Sequence, residues 1–352
     1  MFTFHYRKAD VERARISVSP RSGRRWEVPT KAVVGVMTAS IAFLGLPALA
    51  QAAPQYVPTG TSATGSLSRT PAPTPGSGYA AAVLTDHPVA FWAMNNPSGT
   101  EADLSGNGHG GTYKGGMPAL AALPNGDSAA DFNGTSEYMT VPSSASFSIP
   151  TTKQLSWEAW IRPDVLQFPS AADGYIDWMG KCSEYSPTCE WEARMYSTRN
   201  SENRCNRLSA YAFNPTAGLG SAADWQPNCN LLRAGEWLHV VGEYQTLTTP
   251  SACSSRYPGT IDIWVNGVKW DQRSHGDTGC MSQYSVVPTA NRSPLNIAVM
   301  ASEYWFKGAI GKVAIYDYRL TQTQINKHFT AMTGAQPSGS CAGTCTIPVP
   351  TP

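Results

Sequence analysis

The chain has 352 residues, of which 41% are apolar and 14% are charged, and its formal net charge is +1. Residues 1–31 hold eight Lys/Arg and three Asp/Glu, a net of +5, so the remainder carries −4 and lacks the basic surface that nucleic acid requires. The 11 Trp, 15 Tyr, 31 Gly and 27 Pro favour many short strands joined by turns.

The N-terminus has the pattern of a signal peptide, which we place at residues 1–52. A basic segment precedes an apolar run from Ala32 to Leu46, and small residues around Ala50 and Ala52 have signal-peptidase spacing. We expect cleavage there, secretion to the extracellular medium and no membrane association afterwards. The alternative is an uncleaved single-span anchor, although the run is short for a hydrocarbon core about 30 Å thick.

A linker is expected at residues 53–78, because Pro, Thr, Ser and Gly dominate there and cannot bury enough apolar surface to fold. The folded domain is expected at residues 79–333. A tail at residues 334–352 follows it and contains Cys341 and Cys345.

Period-two alternation and turn signals predict strands throughout the domain, at residues 88–94, 129–132, 138–141, 155–163, 174–180, 237–244, 261–265, 268–272, 294–300 and 309–316. One helix is predicted from Thr321 to Met332, where Ile325, Phe329 and Met332 recur at helical spacing. This order predicts an all-β fold, an antiparallel two-sheet sandwich with one short C-terminal helix.

A hairpin at residues 190–214 is the predicted ligand site. Alternation places Trp191, Ala193 and Met195 on an apolar face and leaves a polar face on the other side of the strands. From this polar face and its surroundings we select the candidate ligand-binding residues Lys181, Glu192, Arg194, Tyr196, Arg207, Tyr211 and Asn214. The alternative is a salt-bridge network that satisfies itself beneath a loop.

The loop at residues 103–111 is rich in glycine and oxygen ligands, so Asp103 and Asn107 are candidate ligands of a structural Ca²⁺. A plain cluster of turns is the alternative.

All eight cysteines lie beyond the signal, at positions 182, 189, 205, 229, 253, 280, 341 and 345. An even set in an exported chain predicts four disulfides from Cys182, Cys189, Cys205, Cys229, Cys253, Cys280, Cys341 and Cys345. The Asn266-Gly267 turn signal folds residues 261–272 into a hairpin and brings Cys253 toward Cys280. Neighbouring cysteines are favoured for the other pairs, which the sequence leaves open.

Several stretches resemble the concanavalin A-like, laminin G-like jelly-roll superfamily. They occur in the order of that superfamily and include residues 88–92, 130–142, 157–163, 236–241, 265–267 and 306–316. The resemblance implies a jelly-roll sandwich over residues 79–333 and relatives that bind carbohydrate, mediate adhesion or cleave polysaccharide. The chain has Gly311-Lys312 where relatives commonly carry an acidic pair that helps to hold calcium, which argues against the ion.

The resemblance, together with the absence of a complete catalytic set, implies a carbohydrate-binding protein with extracellular polysaccharide or glycoconjugate as its partner. A hydrolase or lyase on the same face is one alternative, with Glu190, Glu192 and Tyr211 as candidate catalytic residues. Retaining glycosidases need paired carboxyl groups roughly 5 Å apart, but Arg194 occupies the third position of the alternating acidic pattern. An adhesion module is the other alternative, and no phosphate-binding loop indicates a nucleotide.

We predict that all eight cysteines are oxidised and that Cys253 pairs with Cys280. Closing a loop of that size contributes about 3 kcal/mol in the chain-entropy model. Peptide mapping without reduction checks the pairing, and free thiols or another partner for Cys253 would refute it.

Overall fold

A computed structural model describes residues 78–169, 174–182, 189–214, 219–225, 231–246, 259–270, 288–300 and 304–339. These residues all belong to one compact unit, Arg69–Pro352. The predicted signal peptide, almost all of the linker and most of the tail lie outside the described residues. None of the helices in the described ranges has the length and apolarity needed to cross a membrane.

The fold is built almost entirely from strands, as the alternation predicts. The strands are β1 (Ala90–Trp92), β2 (Thr100–Glu101), β3 (Gly111–Lys114), β4 (Ala119–Ala122), β5 (Ser128–Asn133), β6 (Tyr138–Val141), β7 (Gln154–Pro163), β8 (Tyr175–Lys181), β9 (Trp191–Tyr196), β10 (Leu208–Asn214), β11 (Leu219–Trp225), β12 (Leu238–Thr246), β13 (Gly259–Val265), β14 (Val268–Lys269), β15 (Leu295–Ile297), β16 (Val299–Met300), β17 (Tyr304–Trp305) and β18 (Lys307–Tyr316). The helices are α1 (Tyr79–Thr85), α2 (Ile149–Thr152) and α3 (Gln322–Thr333), with a 3-10 turn at Ala145–Phe147.

Two antiparallel sheets form a sandwich, which confirms the predicted fold class. Sheet A has the order β14-β13-β12-β7-β18-β5-β4 with β1 beside β18, and sheet B has the order β11-β10-β9-β8-β15-β6-β3-β2. The predicted turn between β13 and β14 is confirmed, because Asn266 and Gly267 have φ values of 51° and 76°, as a type I′ turn requires.

The main core lies between the sheets and contains one face of each. Trp157 of sheet A meets Trp178 of sheet B edge to face, with ring centroids 5.5 Å apart. Trp157 Nε1 donates to the hydroxyl of Tyr244 over 3.1 Å, and that hydroxyl donates across the sandwich to the carbonyl of Tyr211 over 3.1 Å. Gly242 permits this packing, because a Cβ there would lie 2.3 Å from the Trp157 ring.

Helices α1 and α3 cover the outer face of sheet A and enclose a second apolar cluster with Phe91, Trp160 and Phe329. The predicted C-terminal helix is confirmed. It begins with a capping box between Thr321 and Gln324 and ends at Gly334, whose φ of 71° suits a glycine C-cap. Sequence patterning did not predict α1.

A buried ionic network joins these helices to sheet A. Glu158 of β7 lies 2.8 Å from Nε2 of His239 and 3.1 Å from Nδ1 of His328, and it accepts a hydrogen bond from Tyr316. Nε2 of His328 lies 2.9 Å from Asp86 after α1. Because both ring nitrogens of His328 face carboxylates, that ring must carry two protons.

The pKa values follow from this geometry. Burial alone would lower the pKa of His328, but Glu158 and Asp86 outweigh it and raise that pKa above its usual range. Burial alone would raise the pKa of Glu158, but the two histidines hold it below its usual range. His239 and His328 are therefore core residues.

We predict that His328→Gln lowers the free energy of unfolding by about 3–5 kcal/mol at pH 6, because it leaves a buried carboxylate without its cation. The folded pKa is raised, so the histidine's contribution is complete below its unfolded pKa of about 6.5 and disappears as pH rises through the folded pKa. Urea denaturation from pH 6 to pH 10 should show the free energies of unfolding of the wild-type protein and of His328→Gln converging.

Lys327→Ala is the matched control on the same helix, since Lys327 reaches Asp86 at 3.6 Å but is 45% exposed. It should cost about 0–1 kcal/mol. Equal losses in the two variants, or a difference independent of pH, would contradict a structural role for the charge on His328.

Candidate functional site

The polar face of the predicted hairpin forms the centre of the candidate site. Strands β9 and β10 pair antiparallel, with Tyr211 opposite Glu192 and Ser209 opposite Arg194. Trp191, Ala193 and Met195 of β9 point into the core. The alternation therefore turns Glu192, Arg194 and Tyr211 to the outer face of sheet B, away from sheet A.

Neighbouring strands add residues that the sequence did not bring together. Strand β8 places Asp177 opposite Arg194, and β11 places Asp224 opposite Ser209. A bulge between Asp177 and Met179 interrupts the alternation and changes which side chains of β8 point to the outer face. The outer-face cluster defined by these contacts comprises Tyr175, Asp177, Glu192, Arg194, Tyr196, Arg204, Arg207, Ser209, Tyr211, Phe213 and Asp224.

Arg194 is held from four sides. Its Nε lies 2.6 Å from Asp177 Oδ1, and its Nη2 lies 3.2 Å from Glu192 Oε2. Its guanidinium carbon lies 4.0 Å from the ring centre of Tyr175 and 4.4 Å from that of Tyr211. The side chain is 12% exposed, so the guanidinium is a fixed, nearly enclosed cation.

The stacking continues beyond Arg194 on both sides. Tyr304 lies parallel to Tyr175 at 5.4 Å and 4°, and Phe213 stacks on Tyr211 at 5.5 Å and 20°. We call this series the planar ladder: Tyr304, Tyr175, Arg194, Tyr211 and Phe213. Gly220 lies opposite Phe213, and a Cβ there would be 2.8 Å from that ring, so a glycine leaves room for the ladder. Tyr304, Tyr175 and Phe213 are half-buried.

A second set of contacts lies toward the β9–β10 turn. The hydroxyls of Tyr196 and Tyr211 are 2.9 Å apart, and Nη1 of Arg204 donates to both, over 2.9 and 3.0 Å. Nη1 of Arg207 lies 2.8 Å from Asp224, which also accepts a hydrogen bond from Ser209. Arg204 and Phe213 belong to this site although the sequence did not single them out for ligand contact.

Glu192 occupies an unusual environment. Its Oε1 lies 3.0 Å from both sulfurs of the Cys182–Cys189 disulfide. A disulfide sulfur has no proton to donate, so only a protonated oxygen is satisfied there. Burial first, and the neighbouring Asp177 second, raise the pKa of Glu192 well above its usual range. Burial and the Asp177 carboxylate therefore favour the neutral form of Glu192 beside the Arg194–Asp177 ion pair.

The one disulfide whose two cysteines both lie in the described ranges agrees with the favoured pairing of neighbours. Cys182 bonds Cys189, and Cys205 is also disulfide-bonded. Cys229, Cys253, Cys280, Cys341 and Cys345 lie outside the described residues. Cys182, Cys189 and Glu192 form the one metal-like grouping within the described ranges, but bonded sulfurs are not thiolate ligands.

Asp103 and Asn107, the candidate Ca²⁺ ligands, are both hydrogen-bonded to other groups of the protein. The two oxygens of Asp103 accept hydrogen bonds from the backbone N–H groups of Phe91, Ser105 and His109 and from the Ser105 hydroxyl. The Asn107 side chain donates its amide to the Val89 carbonyl. These bonds tie both side chains into the loop, which is the arrangement of a hydrogen-bonded turn cluster.

Lys181 and Glu190 lie apart from the outer-face cluster. Their side chains are fully buried and 3.5 Å apart, with Lys181 also bonded to Asn291 and Glu190 to the Ile149 N–H. Lys181 stands opposite Trp191, on the core side of the sheet. The predicted common face of Glu190 and Glu192 is therefore wrong, because Glu190 precedes β9 and turns inward.

The remaining candidates are placed as follows. Tyr196, Arg207 and Tyr211 join the outer-face cluster, whereas the Asn214 side chain lies outside the described residues. Trp178 and Trp225 are fully buried in the core and cannot meet a ligand. Trp305 is half-buried, 5.9 Å from the ring of Tyr138.

The comparison with protein families agrees with the observed fold. A family model described as the concanavalin A-like lectin/glucanases superfamily matches residues 133–326. A search of curated proteins found no match.

Solved structures resemble the chain at low identity. One is domain 4 of AbnA, a GH43 extracellular arabinanase from Geobacillus stearothermophilus in complex with arabinotriose, at 20% identity and a TM-score of 0.45, covering 68% of this chain and 97% of that one. Another is the receptor-binding domain of botulinum neurotoxin C/D mosaic serotype, at 10% identity and a TM-score of 0.48. The match covers 70% of this chain and 52% of that one. A third is the binding domain of Paraclostridial Mosquitocidal Protein 1, at 14% identity and a TM-score of 0.49. The match covers 70% of this chain and 53% of that one.

We predict that Asp177→Asn and Glu192→Gln differ sharply in stability. Asp177→Asn leaves the Arg194 guanidinium without an ionised partner and should cost about 3–5 kcal/mol. Glu192→Gln exchanges one neutral group for another and should cost under about 1 kcal/mol. Urea denaturation of both at pH 7 checks this, and a reversed order would show that Glu192 carries the charge.

Proposed function

Because the chain belongs to the concanavalin A-like lectin/glucanases superfamily, we propose that it is a secreted carbohydrate-binding protein that holds extracellular polysaccharide or glycoconjugate on the outer-face cluster. The observation that carries the proposal is the fixed Arg194 guanidinium, which lies between two tyrosine rings and bonds two carboxyl groups. Such a site has its shape before a ligand arrives.

The groups at this face suit a sugar. The half-buried ring of Phe213, at the end of the planar ladder, offers apolar surface for the C–H side of a sugar ring, and Arg204, 30% exposed, offers N–H donors. Small-molecule sites commonly combine aromatic surface with a few fixed polar groups that orient the ligand. The outer-face cluster has both.

Glycoside hydrolysis is a second candidate function, favoured by Glu192. A neutral carboxyl beside an ionised one is the arrangement that acid catalysis of glycoside cleavage uses. Against it, the side chains of Asp177 and Glu192 are each 4% exposed and both bond Arg194, which leaves little access for a scissile bond. Binding therefore accounts better for the geometry.

Secretion is part of the proposal. It is supported by the signal-like pattern at residues 1–52 and by the Cys182–Cys189 disulfide, since disulfides persist in oxidising compartments. Detection of the processed chain in the culture medium, with its new N-terminus sequenced near residue 53, tests this part directly.

A glycan array probed with the exported protein tests binding, with reducing-sugar and unsaturated-uronate assays run alongside. Retention of one or more glycans without release of product is expected. Formation of product at a catalytic rate would show that the protein is a hydrolase or a lyase and would overturn the binding proposal. Retention only on protein ligands would favour the adhesion alternative.

We predict that Phe213→Ala and Arg204→Ala each weaken glycan binding by about 1–3 kcal/mol, the cost of a lost stacking ring or charged hydrogen bond. Both side chains lie at the accessible edge of the cluster, so the midpoint of thermal unfolding should change little. Titration calorimetry against the glycan found on the array measures the loss.

Arg162→Ala is the matched control. Arg162 also contacts two carboxylates, Asp131 and Asp164, and lies over an aromatic ring, that of Trp237, but it belongs to sheet A. Its removal should leave glycan affinity unchanged. Equal losses in all three variants would mean that the outer-face cluster is not the binding site.

A further inference from the structure

The arginines of the outer-face cluster are individually neutralised. Arg194 pairs with Asp177 at 2.6 Å, Arg207 with Asp224 at 2.8 Å, and Arg204 with Glu202 at 2.9 Å. Each guanidinium thus stands beside its own carboxylate, and the site presents alternating donors and acceptors in place of a positive field.

An acidic ligand fits such a surface poorly. A uronate or sulfate group that approached Arg194 or Arg207 would come within a few ångströms of Asp177 or Asp224, and two like charges at that separation repel. To bind the guanidinium directly, the ligand would have to displace a carboxylate that is nearly enclosed, since the Asp177 and Asp224 side chains are 4% and 9% exposed.

A hydroxyl group fits the same surface well. At the accessible Arg204–Glu202 pair, whose side chains are 30% and 40% exposed, it can accept a hydrogen bond from a guanidinium N–H and donate its own proton to the adjacent carboxylate. The planar ladder keeps these groups in place, because Arg194 cannot leave the space between Tyr175 and Tyr211 without losing both ring contacts.

We propose that the outer-face cluster selects neutral polysaccharides and discriminates against glycans that carry uronate or sulfate groups. This inference rests on the proposed carbohydrate-binding function and names the class of ligand for that site. Recognition then depends on hydroxyl geometry and ring stacking, and salt has little influence on it.

The test compares two panels of immobilised glycans with the exported full chain. A β-glucan, a galactomannan and an arabinan form the neutral panel, and polygalacturonate, alginate and chondroitin sulfate form the acidic panel. We expect the best neutral glycan to bind at least about tenfold more tightly than the best acidic one. The affinity for the neutral glycan should change by less than about twofold between low and high salt.

Each outcome has a distinct meaning. Preference for the acidic panel with affinity that falls steeply in salt would overturn the inference and leave the carbohydrate-binding function in place. Absence of binding to both panels, with the thermal unfolding transition intact, would overturn the proposed function and the inference with it.

A charge variant tests the cause of the selectivity. Glu202→Gln removes the carboxylate beside Arg204, and Glu202 is 40% exposed, so the fold does not depend on it. The ratio of acidic to neutral affinity should rise by about threefold, the scale of one exposed ion pair. Asp164→Asn, which removes a carboxylate from Arg162 on sheet A, is the control and should leave the ratio unchanged. An unchanged ratio in Glu202→Gln would show that charge pairing does not set the selectivity.

Discussion

Burial of one face of each sheet against the other is the constraint on which the rest of this molecule depends. Trp157 and Trp178 meet from opposite sheets, and the Tyr244 hydroxyl crosses the sandwich to the backbone of β10. Because side chains alternate along a strand, this core fixes which residues face outward. The position of Tyr211 on the outer face is thus determined by its neighbours Ala210 and Ala212 on the inner one.

The two outer faces satisfy their polar residues in different ways. On sheet A, helices bury Glu158 completely, and the two histidines beside it supply protons that keep the carboxylate ionised. On sheet B, Glu192 keeps its own proton while Arg194 takes Asp177 as its ionised partner. A buried carboxyl group in this sandwich is therefore charged or neutral according to the balance of cations and other carboxylates around it.

Local pattern was sufficient to predict the elements with strong signals of their own. The hairpin of β9 and β10 follows from alternation, the β13–β14 turn from Asn266-Gly267, and α3 from helical spacing with a capping residue at Thr321. Strand β11 was missed because Gly, Ser and Ala dominate it, and it becomes a strand only by pairing with β10. Helix α1 was missed because its seven residues make only about two turns, too few repeats for a helical pattern to be recognised.

The site was predictable only in part, because its partners come from different strands. Alternation identified Arg194 and Tyr211, but Asp177 depends on a bulge and on the order of strands in sheet B, which no single stretch of sequence encodes. Glu190 looked like a site residue because regular alternation would place its side chain on the same face as Glu192, and Lys181 because it lies close to that face in the sequence. Their actual place is set by the end of β9 and by a long-range contact with Ile149.

The composition of the planar ladder has an optical consequence. Its rings are tyrosine and phenylalanine, whereas seven tryptophans are fully buried elsewhere in the described part of the chain. Most tryptophan emission therefore comes from buried rings, whereas contact of a ligand with the planar ladder would appear in the tyrosine bands of near-ultraviolet difference spectra. Loss of the fold and occupation of the face can be followed in one sample, without a label, as two separate signals.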